Sequence, residues 1–469
     1  MRPLFSLMRR AMLVGCLALA SVTASPYAVA ADELRLSLEE ARAAAARLLR
    51  AGRAAEALAL ADGVLIGAPG DVQALLLKAR AEQELGKHKD ARKSAKLAWN
   101  KAEIDRDRFF AAMVQAGTLA SDGNKGIAQY WLRRAAQVAP ETRMRNMAVS
   151  DFRKLRRLTP WRLNLALIAA PSDNLNGGPT EETSEIGAIT YPNPNRPLSG
   201  FRYGASIDFS YRYALTQNQR LKLGVELDTH RVELSDKARE RVPSARNRDY
   251  SEDSLGFSLG YERRGAKGDW LANGEVFVRH NQRAGEGFSN VTGMTLFFGH
   301  ALGQHYTATA RTSLRHERLL NDDEDTLLTR EAGVTLARRF QFGKISLAAS
   351  AGDTLTDIRW VGKQFQTAQL SIAKARPVMG VQPRLSLGYQ RSDYDEMPRS
   401  AAILSLFTGN DYETRLDEEW SLSLDLLLPK MDLYGFAPEI GITVRDRESN
   451  YDEFDSQTTD LRLGIKSVF

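Results

Sequence analysis

Cysteine and histidine are scarce in this chain of 469 residues, which has one cysteine, Cys16, and six dispersed histidines. A zinc site needs three or four convergent protein ligands, so these residues argue against a metal centre, and His300 and His305 beside one predicted turn are too few. The sequence also has no Gly-x-Ser-x-Gly, His-Glu-x-x-His or Walker pattern. It therefore predicts neither an enzyme nor a bound cofactor.

Long apolar stretches are absent from the sequence after its first thirty residues. The mean hydropathy of the chain is -0.36, and no later segment has the 18 or more apolar residues typical of a transmembrane helix. Any insertion into a membrane must therefore use strands of alternating polarity.

Residues 1–30 have the pattern of a secretory signal peptide. Arg9 and Arg10 precede an apolar segment, and Ala28-Val29-Ala30 is a small-x-small cleavage site. The segment ending at Cys16 also matches a lipoprotein cleavage box, but it follows Arg10 too closely for the usual length of the apolar region. Cleavage after Ala30 removes the only cysteine, which leaves no disulfide and suits an oxidising periplasm.

Charge divides the remaining chain into two parts. Residues 31–160 carry 24 Lys and Arg against 16 Asp and Glu, whereas residues 161–469 carry 37 against 42. Parts of opposite sign, +8 and -5, predict two domains. The basic share is too low to predict a nucleic-acid partner, and the signal peptide argues against one.

Small residues repeat at fixed spacing in residues 33–140. The repeated positions are Ala45, Gly52 and Ala57; Ala79, Gly86 and Ala91; and Ala116, Gly123 and Ala128, with Pro69 and Pro140 after the first and third sets. Small residues let paired helices approach closely, glycine makes the turn between them, and proline ends the second helix. This pattern resembles the tetratricopeptide repeat and predicts a helical solenoid over 31–158. Its concave face binds a partner segment, or the solenoid is a scaffold or dimer surface.

The end of the helical segment is basic. Arg143, Arg145, Arg153, Lys154, Arg156 and Arg157 precede Trp161. This stretch is either a solvated rim or a contact for anionic headgroups or for an acidic client.

From Trp161 onward the periodicity of the sequence changes to two. In one segment Tyr203, Ile207 and Tyr211 alternate with charged residues such as Arg202 and Asp208, as expected of a strand with lipid on one face and a polar lumen on the other. Fourteen such segments are present, which predicts a fourteen-stranded antiparallel transmembrane barrel over 159–469. Short connections such as 216–219 and 430–435 alternate with long ones at about 171–198, 234–250 and 395–412. Because short turns are typical of the periplasmic side, the helical domain is expected in the periplasm.

The last segment of the sequence alternates Leu461, Leu463 and Ile465 with Arg462 and Lys466, and the chain ends at Phe469. Such an ending resembles the final strand of a bacterial outer-membrane barrel, whose terminal aromatic residue is read by the barrel assembly machinery. We therefore expect the chain in the bacterial outer membrane, with the Phe469 ring in the lipid-facing aromatic girdle.

Several motifs resemble the surface lipoprotein assembly modulator (Slam) family, in which periplasmic tetratricopeptide repeats precede a fourteen-stranded barrel. The segment Ala170-Pro-Ser-Asp-Asn-Leu-Asn176 resembles the family's turn after the first strand, and 434–438, 447–450 and the final strand resemble its closing hairpin. The resemblance implies export of a client lipoprotein or secreted effector, which the repeats receive and the barrel passes outward. The motif residues are Pro171, Ser172, Asp173, Asn174 and Asn176. Asp173, Asn174 and Asn176 could also form a Ca²⁺ loop, although Asx side chains more often cap turns.

The charges predicted to face the lumen are the candidate client path. They are Arg202, Asp208, Arg212, Glu226, Asp228, Glu262, Arg311, Arg315, Asp425, Glu439, Arg445, Arg462 and Lys466. Ion pairs that only hold the barrel closed are the structural alternative. The expected partners are the client, outer-membrane lipid, the assembly machinery and a periplasmic chaperone. Two other functions fit the same architecture, namely a porin for polysaccharide or small solutes and a structural adhesin.

Overall fold

The computed structural model describes residues 36–186, 189–193, 195–320 and 325–469, so the predicted signal peptide lies outside the described residues. Within these ranges, seven helices come first in the chain. They are α1 (Leu38–Arg50), α2 (Ala54–Gly67), α3 (Val72–Glu84), α4 (His88–Lys101), α5 (Asp105–Ser121), α6 (Lys125–Val138) and α7 (Thr142–Leu158). The described part of the chain has no helix that is both long and apolar enough to cross a membrane.

The repeated residues of the sequence lie where the helices turn and touch. Gly52, Gly86 and Gly123 each follow a helix with φ of +75°, +72° and +81°, a conformation that glycine adopts without steric cost. Ala45 and Ala79 are fully buried, which allows close helix packing. Local caps define other helix ends: the Ser37 hydroxyl accepts a hydrogen bond from the Glu40 amide in a capping box, as the Asp71 carboxylate does from Ala74.

The core of the helical domain is largest near its C-terminal end. Phe109 of α5, Trp131 of α6 and Phe152 of α7 belong to one buried cluster. Helix α7 is therefore the last layer of the solenoid, and its face with Phe152 extends the buried cluster toward the start of the barrel.

Fourteen strands of the described residues form a closed antiparallel barrel. They are β1 (Trp161–Ser172), β4 (Gly200–Ala214), β5 (Gln219–Leu234), β6 (Glu252–Arg264), β7 (Trp270–Arg283), β8 (Glu286–Leu302), β9 (Tyr306–Leu319), β10 (Thr326–Arg339), β11 (Gly343–Thr356), β12 (Lys363–Lys374), β13 (Gln382–Tyr394), β14 (Leu416–Leu427), β15 (Phe436–Ser449) and β16 (Ser456–Ser467). Strand β1 pairs with β4 on one side and with β16 on the other, where Ala169 is opposite Leu463. The predicted fold class, a helical solenoid followed by a fourteen-stranded barrel, is confirmed.

The outer wall of the barrel is apolar and exposed. Leu165 is 59% exposed, Val334 63% and Leu347 58%, values far above those of a packed core. Each lies in the outward register of its strand, and neighbouring strands continue the same apolar row. The opposite face of every strand carries the polar residues, because strand side chains alternate.

The three long connections, 173–199, 235–251 and 395–415, lie at one end of the barrel, and every connection at the other end, where the helical domain joins β1, has eight residues or fewer. The long ones carry elements that the sequence analysis missed: a hairpin of β2 (Thr183–Ile186) and β3 (Ile189–Pro192), helix α8 (Asp236–Arg241) and helix α9 (Arg399–Thr408). These segments are too short to show periodicity. Ile186, Ala401 and Tyr451 form a common buried cluster, so three of the connections pack on one another.

Four connections at the long-loop end are short and contradict the expected alternation of long and short: 284–285, 320–325, 357–362 and 450–455. Strands β7 and β8 are joined by only Ala284 and Gly285, with φ of +56° and +79°. Two successive residues of positive φ form the kind of tight turn that matches strand twist, and alanine at the first position hid this turn from the sequence reading.

Candidate functional site: barrel lumen and helical junction

The strand register places all thirteen predicted lumen charges on the face opposite the exposed apolar rows. In β4, for example, Asp208 is opposite Glu226 of β5, whereas the outward Phe209 is opposite Val225. Alternation alone was enough to assign the lumen face, since one buried or lipid-facing side fixes the register of a strand.

Many of these charges form ion pairs within the lumen. Arg462 donates to the Asp425 carboxylate at 2.7 Å and Arg445 to that of Asp460 at 2.9 Å, while the Lys466 ammonium is 3.2 Å from a Glu439 oxygen. Further pairs join Glu226 to Arg279, Glu262 to Arg264, Arg315 to Glu317 and Lys222 to Glu275. Two of these seven pairs join neighbouring strands, three join strands that are separated by one other strand, and two lie within a single strand, so five of the pairs cross-link the wall.

Several of the partners were missed by the sequence analysis. Arg279, Glu275 and Asp460 occupy lumen-register positions and could have been found by extending the alternation along β7 and β16. Other predicted charges are not in such pairs: Arg202 donates to the Leu175 carbonyl at 3.2 Å, and Asp228 accepts from Ser206 and Ser254.

A different part of the lumen wall is rich in hydroxyl groups. Ser350 and Thr367 hydroxyls lie 2.6 Å apart, and those of Ser371 and Ser386 lie 2.9 Å apart. Together with Gln369 they belong to the lumen faces of β11, β12 and β13. A recess of about 470 Å³ follows this wall, and its lining adds Arg311, Glu331 and Glu419 to the hydroxyl and amide groups.

The predicted turn motif after β1 ties the long connection to the barrel. The side-chain nitrogen of Asn174 donates to the Gly178 carbonyl at 2.7 Å, and its side-chain oxygen accepts from the Gly178 backbone amide at 2.9 Å. Asn176 makes the same two kinds of bond to Arg196 and Leu198. The Asp173 carboxylate accepts from the Thr459 amide of β16. All three Asx side chains therefore cap backbone groups, which is the role the sequence analysis favoured over a Ca²⁺ loop.

The helical domain contacts the barrel through α6 and α7. Arg133 of α6 donates to the Tyr434 carbonyl at 2.8 Å and to the Ser467 hydroxyl at 2.9 Å. Its guanidinium also lies 4.2 Å from the ring centroid of Phe436 and 4.5 Å from that of Phe152. Burial lowers the pKa of Arg133 to about 10, assisted by the nearby Arg156, which leaves the group protonated at neutral pH.

Two further contacts fix the same junction. Arg145 of α7 donates to the Asp432 carboxylate at 2.6 Å, and the Gln137 side chain accepts from the Tyr434 amide at 2.7 Å. Asp432 and Tyr434 lie in the turn between β14 and β15, so the helices hold the closing hairpin of the barrel.

The structure corrects the predicted environment of Phe469. Its ring packs edge-to-face on Phe152 at 5.5 Å and joins the buried cluster of the helical domain. The ring is therefore not in a lipid-facing girdle, because α6 and α7 cover the end of β16. The predicted assembly signal at Phe469 stays a prediction.

No family model matches the sequence, and no curated protein matches it either. Among solved structures, the chain is similar to the type III secretion translocator chaperone SycD of Yersinia enterocolitica, with 16% identity over 26% of this chain and 88% of that one, at a TM-score of 0.24. It is also similar to a loop-deletion mutant of the outer membrane protein OmpT of Vibrio cholerae, with 7% identity over 66% of this chain and 99% of that one, at a TM-score of 0.33.

An anion-selective porin from Comamonas acidovorans shows 11% identity over 66% of this chain and all of that one, at a TM-score of 0.33. These likenesses are too distant to indicate a function.

Proposed function

We propose that the protein lies in the bacterial outer membrane and exports or surface-displays a client lipoprotein or secreted effector. The helical domain receives the client in the periplasm and the barrel passes it outward. The exposed apolar wall supports the membrane location, since a contiguous apolar belt of this size needs lipid or a partner to cover it. The position of the helices at the short-turn end supports their periplasmic side.

The junction at the closing hairpin is the observation that carries the proposal. Arg133, Arg145 and Gln137 hold the solenoid at the rim of the barrel by hydrogen bonds to Tyr434, Ser467 and Asp432. A receptor domain fixed at the pore mouth raises the local concentration of anything it binds there. A freely tethered scaffold would need no such contacts.

Energy for export must come from outside the chain. The sequence has no nucleotide-binding loop, so folding or capture of the client outside the cell is the driving force in this proposal.

The test is a deletion of residues 38–101, which removes α1 to α4 and keeps α5 to α7 on the rim. The surface-exposed proteins of the native host are compared by surface biotinylation with those of cells that have the full-length protein. We expect normal barrel insertion and loss of one or more surface proteins, which then accumulate in the periplasm. An unchanged surface proteome contradicts the capture role.

The hydroxyl-rich wall favours a second candidate, a porin for polysaccharide or small solutes. Hydroxyl and amide groups such as those of Ser350, Thr367 and Gln369 match the hydrogen-bonding groups of sugars. Planar-bilayer conductance separates the two candidates. A steady open pore that neutral oligosaccharides block supports the porin, whereas a silent protein supports an exporter that opens for its client.

A further inference from the structure

Helix α7 presents a basic cleft beside the pore. The cleft has a volume of about 520 Å³ and is lined by residues of α7 on one side and by Pro429 and Val468 of the barrel on the other. Arg153, Lys154 and Arg157 are exposed along it. Lys154 has the Asp151 carboxylate at 3.2 Å, whereas Arg153 and Arg157 have no carboxylate within 4.0 Å among the described residues.

The position of the cleft is set by the register of β16. Ser467 is in the outward register of that strand with Ile465, and Arg133 of α6 binds it there. Val468 continues the inward register of Lys466, whose ammonium pairs with Glu439 in the lumen. Helix α6 therefore covers the outer side of the rim, and the α7 cleft is bordered by Val468, which is in the register of the lumen residue Lys466.

The lumen face near the same end is also electropositive. Arg162, Arg212, Arg339, Lys344 and Arg384 lie in the lumen register close to the strand ends, and none has a carboxylate within 4.0 Å in the described ranges. The lumen acids of this end are already used: Glu262, Asp425 and Glu439 each pair with a basic residue. The excess positive charge of the mouth is thus left for an incoming group.

We propose that the α7 cleft and this ring of cations form one entry site for an acidic, extended polypeptide segment of the client. The inference rests on the export function proposed above. The border at Val468 favours a polypeptide over a lipid headgroup, because the hydrocarbon-facing side of the rim at β15 and β16 is occupied by α6. Unpaired guanidinium groups on a helix bind carboxylates with little desolvation cost at such a wet site.

The test uses the full-length protein in neutral detergent and two fluorescent peptides of equal length, one a Glu-Gly-Ser repeat and one a Gln-Gly-Ser repeat. Fluorescence anisotropy should show binding of the acidic peptide that weakens as salt rises, and at least about fivefold weaker binding of the neutral peptide. The double substitution Arg153→Gln/Arg157→Gln should reduce affinity for the acidic peptide by about fivefold or more.

The matched control is Arg47→Gln/Arg50→Gln, which removes the same charge from exposed positions of α1 and should leave binding unchanged. A reversal variant, Arg153→Glu/Arg157→Glu, should bind a Lys-Gly-Ser repeat in preference to the Glu repeat. Helicity and heat-modifiability are measured for each variant. If Arg153→Gln/Arg157→Gln is misfolded, the reversal variant takes its place in the test.

The inference is overturned if the wild-type protein binds the two peptides equally. It is also overturned if the α1 control loses as much affinity for the acidic peptide as the α7 variant does. Competition by phosphatidylglycerol micelles with no competition by free polyglutamate overturns it as well, and would assign the cleft to lipid. Each of these three failures leaves the export proposal standing if deletion of residues 38–101 still abolishes surface display.

Discussion

The guanidinium of Arg133 in α6 lies over the ring of Phe469, 5.0 Å from its centroid. The contact joins α6 to Phe469 and encloses the cation between aromatic rings of both domains. A charge buried this way is stabilised by the ring faces and by its two hydrogen bonds, so the C-terminus of the barrel and the end of the solenoid are one packed unit.

Replacing Arg133 with methionine should loosen this unit. The change keeps side-chain length but removes two charged hydrogen bonds and the cation–π contacts, which we expect to cost the junction about 2 kcal/mol. The measurement is the rate at which trypsin cuts the 153–160 segment of the inserted protein, and it should rise. The control is Arg134→Met, since Arg134 contacts Trp99 and Trp131 within the solenoid. Equal cleavage of both variants contradicts the proposed coupling.

The ends of elements and the barrel wall were predictable from local pattern. Gly52 and Gly86 occur after helices because a positive φ is needed there, and Tyr203 and Asp208 occupy opposite faces because strands have period two. Both signals are contained in a few neighbouring residues.

The contacts between distant parts were not predictable in the same way. Arg133 and Phe469 are far apart in the chain, and neither a basic residue in a helix nor a terminal phenylalanine indicates the other. The hairpin of β2 and β3 and helix α9 were missed because each is shorter than the window over which periodicity shows. Their positions depend on tertiary packing, such as that of Ala401 against Tyr451.

Asn174 should hold the connection after β1 in place. Asn174→Ala removes both side-chain bonds to Gly178 and leaves a buried amide and carbonyl without these partners, at a local cost of about 2 kcal/mol. Protease added to intact cells should then cut residues 173–199 faster. Asn195→Ala, at an exposed position of the same connection, is the control. Protection of the wild-type connection by Ca²⁺ and its loss in EDTA would show instead that the motif binds metal.

The buried carboxyl of Glu82 should make the helical domain sensitive to pH. Burial raises the pKa of Glu82, against the opposing effects of the Ser94 hydroxyl and Lys78. The folded state therefore binds this proton up to a higher pH than the unfolded chain does, and the free energy of unfolding falls as pH rises from the unfolded pKa through the folded one.

Glu82→Gln removes that dependence, because an amide can still accept the Ser94 hydrogen bond without carrying charge. We expect about 1 kcal/mol of added stability at pH 7 and less at pH 5. Thermal unfolding of the helices is followed by circular dichroism at both values. Glu84→Gln, exposed two residues later, should show no such difference, and a destabilised Glu82→Gln protein would contradict the argument.

The pair of Asp425 and Arg462 separates a structural lumen charge from a client contact. The side chains are half-exposed or less, so a double-mutant cycle of Asp425→Asn and Arg462→Gln should give a coupling of about 0.5–1 kcal/mol that shrinks in high salt. The measurement is chemical unfolding of the barrel in detergent. Arg212, which lacks such a partner among the described residues, should show no coupling to Asp425. If Asp425→Asn or Arg462→Gln loses surface display of the client while the free energy of unfolding of the barrel is unchanged, the pair lies on the client path.

Phe469→Asp tests whether the terminal residue is an assembly signal as well as a junction contact. In the folded protein the substitution removes an edge-to-face contact with Phe152, worth about 0.5–1.5 kcal/mol, and places an acid near Arg145, whose guanidinium lies 5.7 Å from the ring. These equilibrium effects are too small to prevent insertion. A large loss of heat-modifiable barrel with periplasmic accumulation must therefore reflect failed recognition during assembly, and we expect that loss. Lys466→Ala, in the lumen register of the same strand, and Arg133→Met, which breaks the junction but keeps the terminal ring, should both insert at wild-type yield. If Arg133→Met loses as much barrel as Phe469→Asp does, the terminal ring acts through the junction and not as a signal.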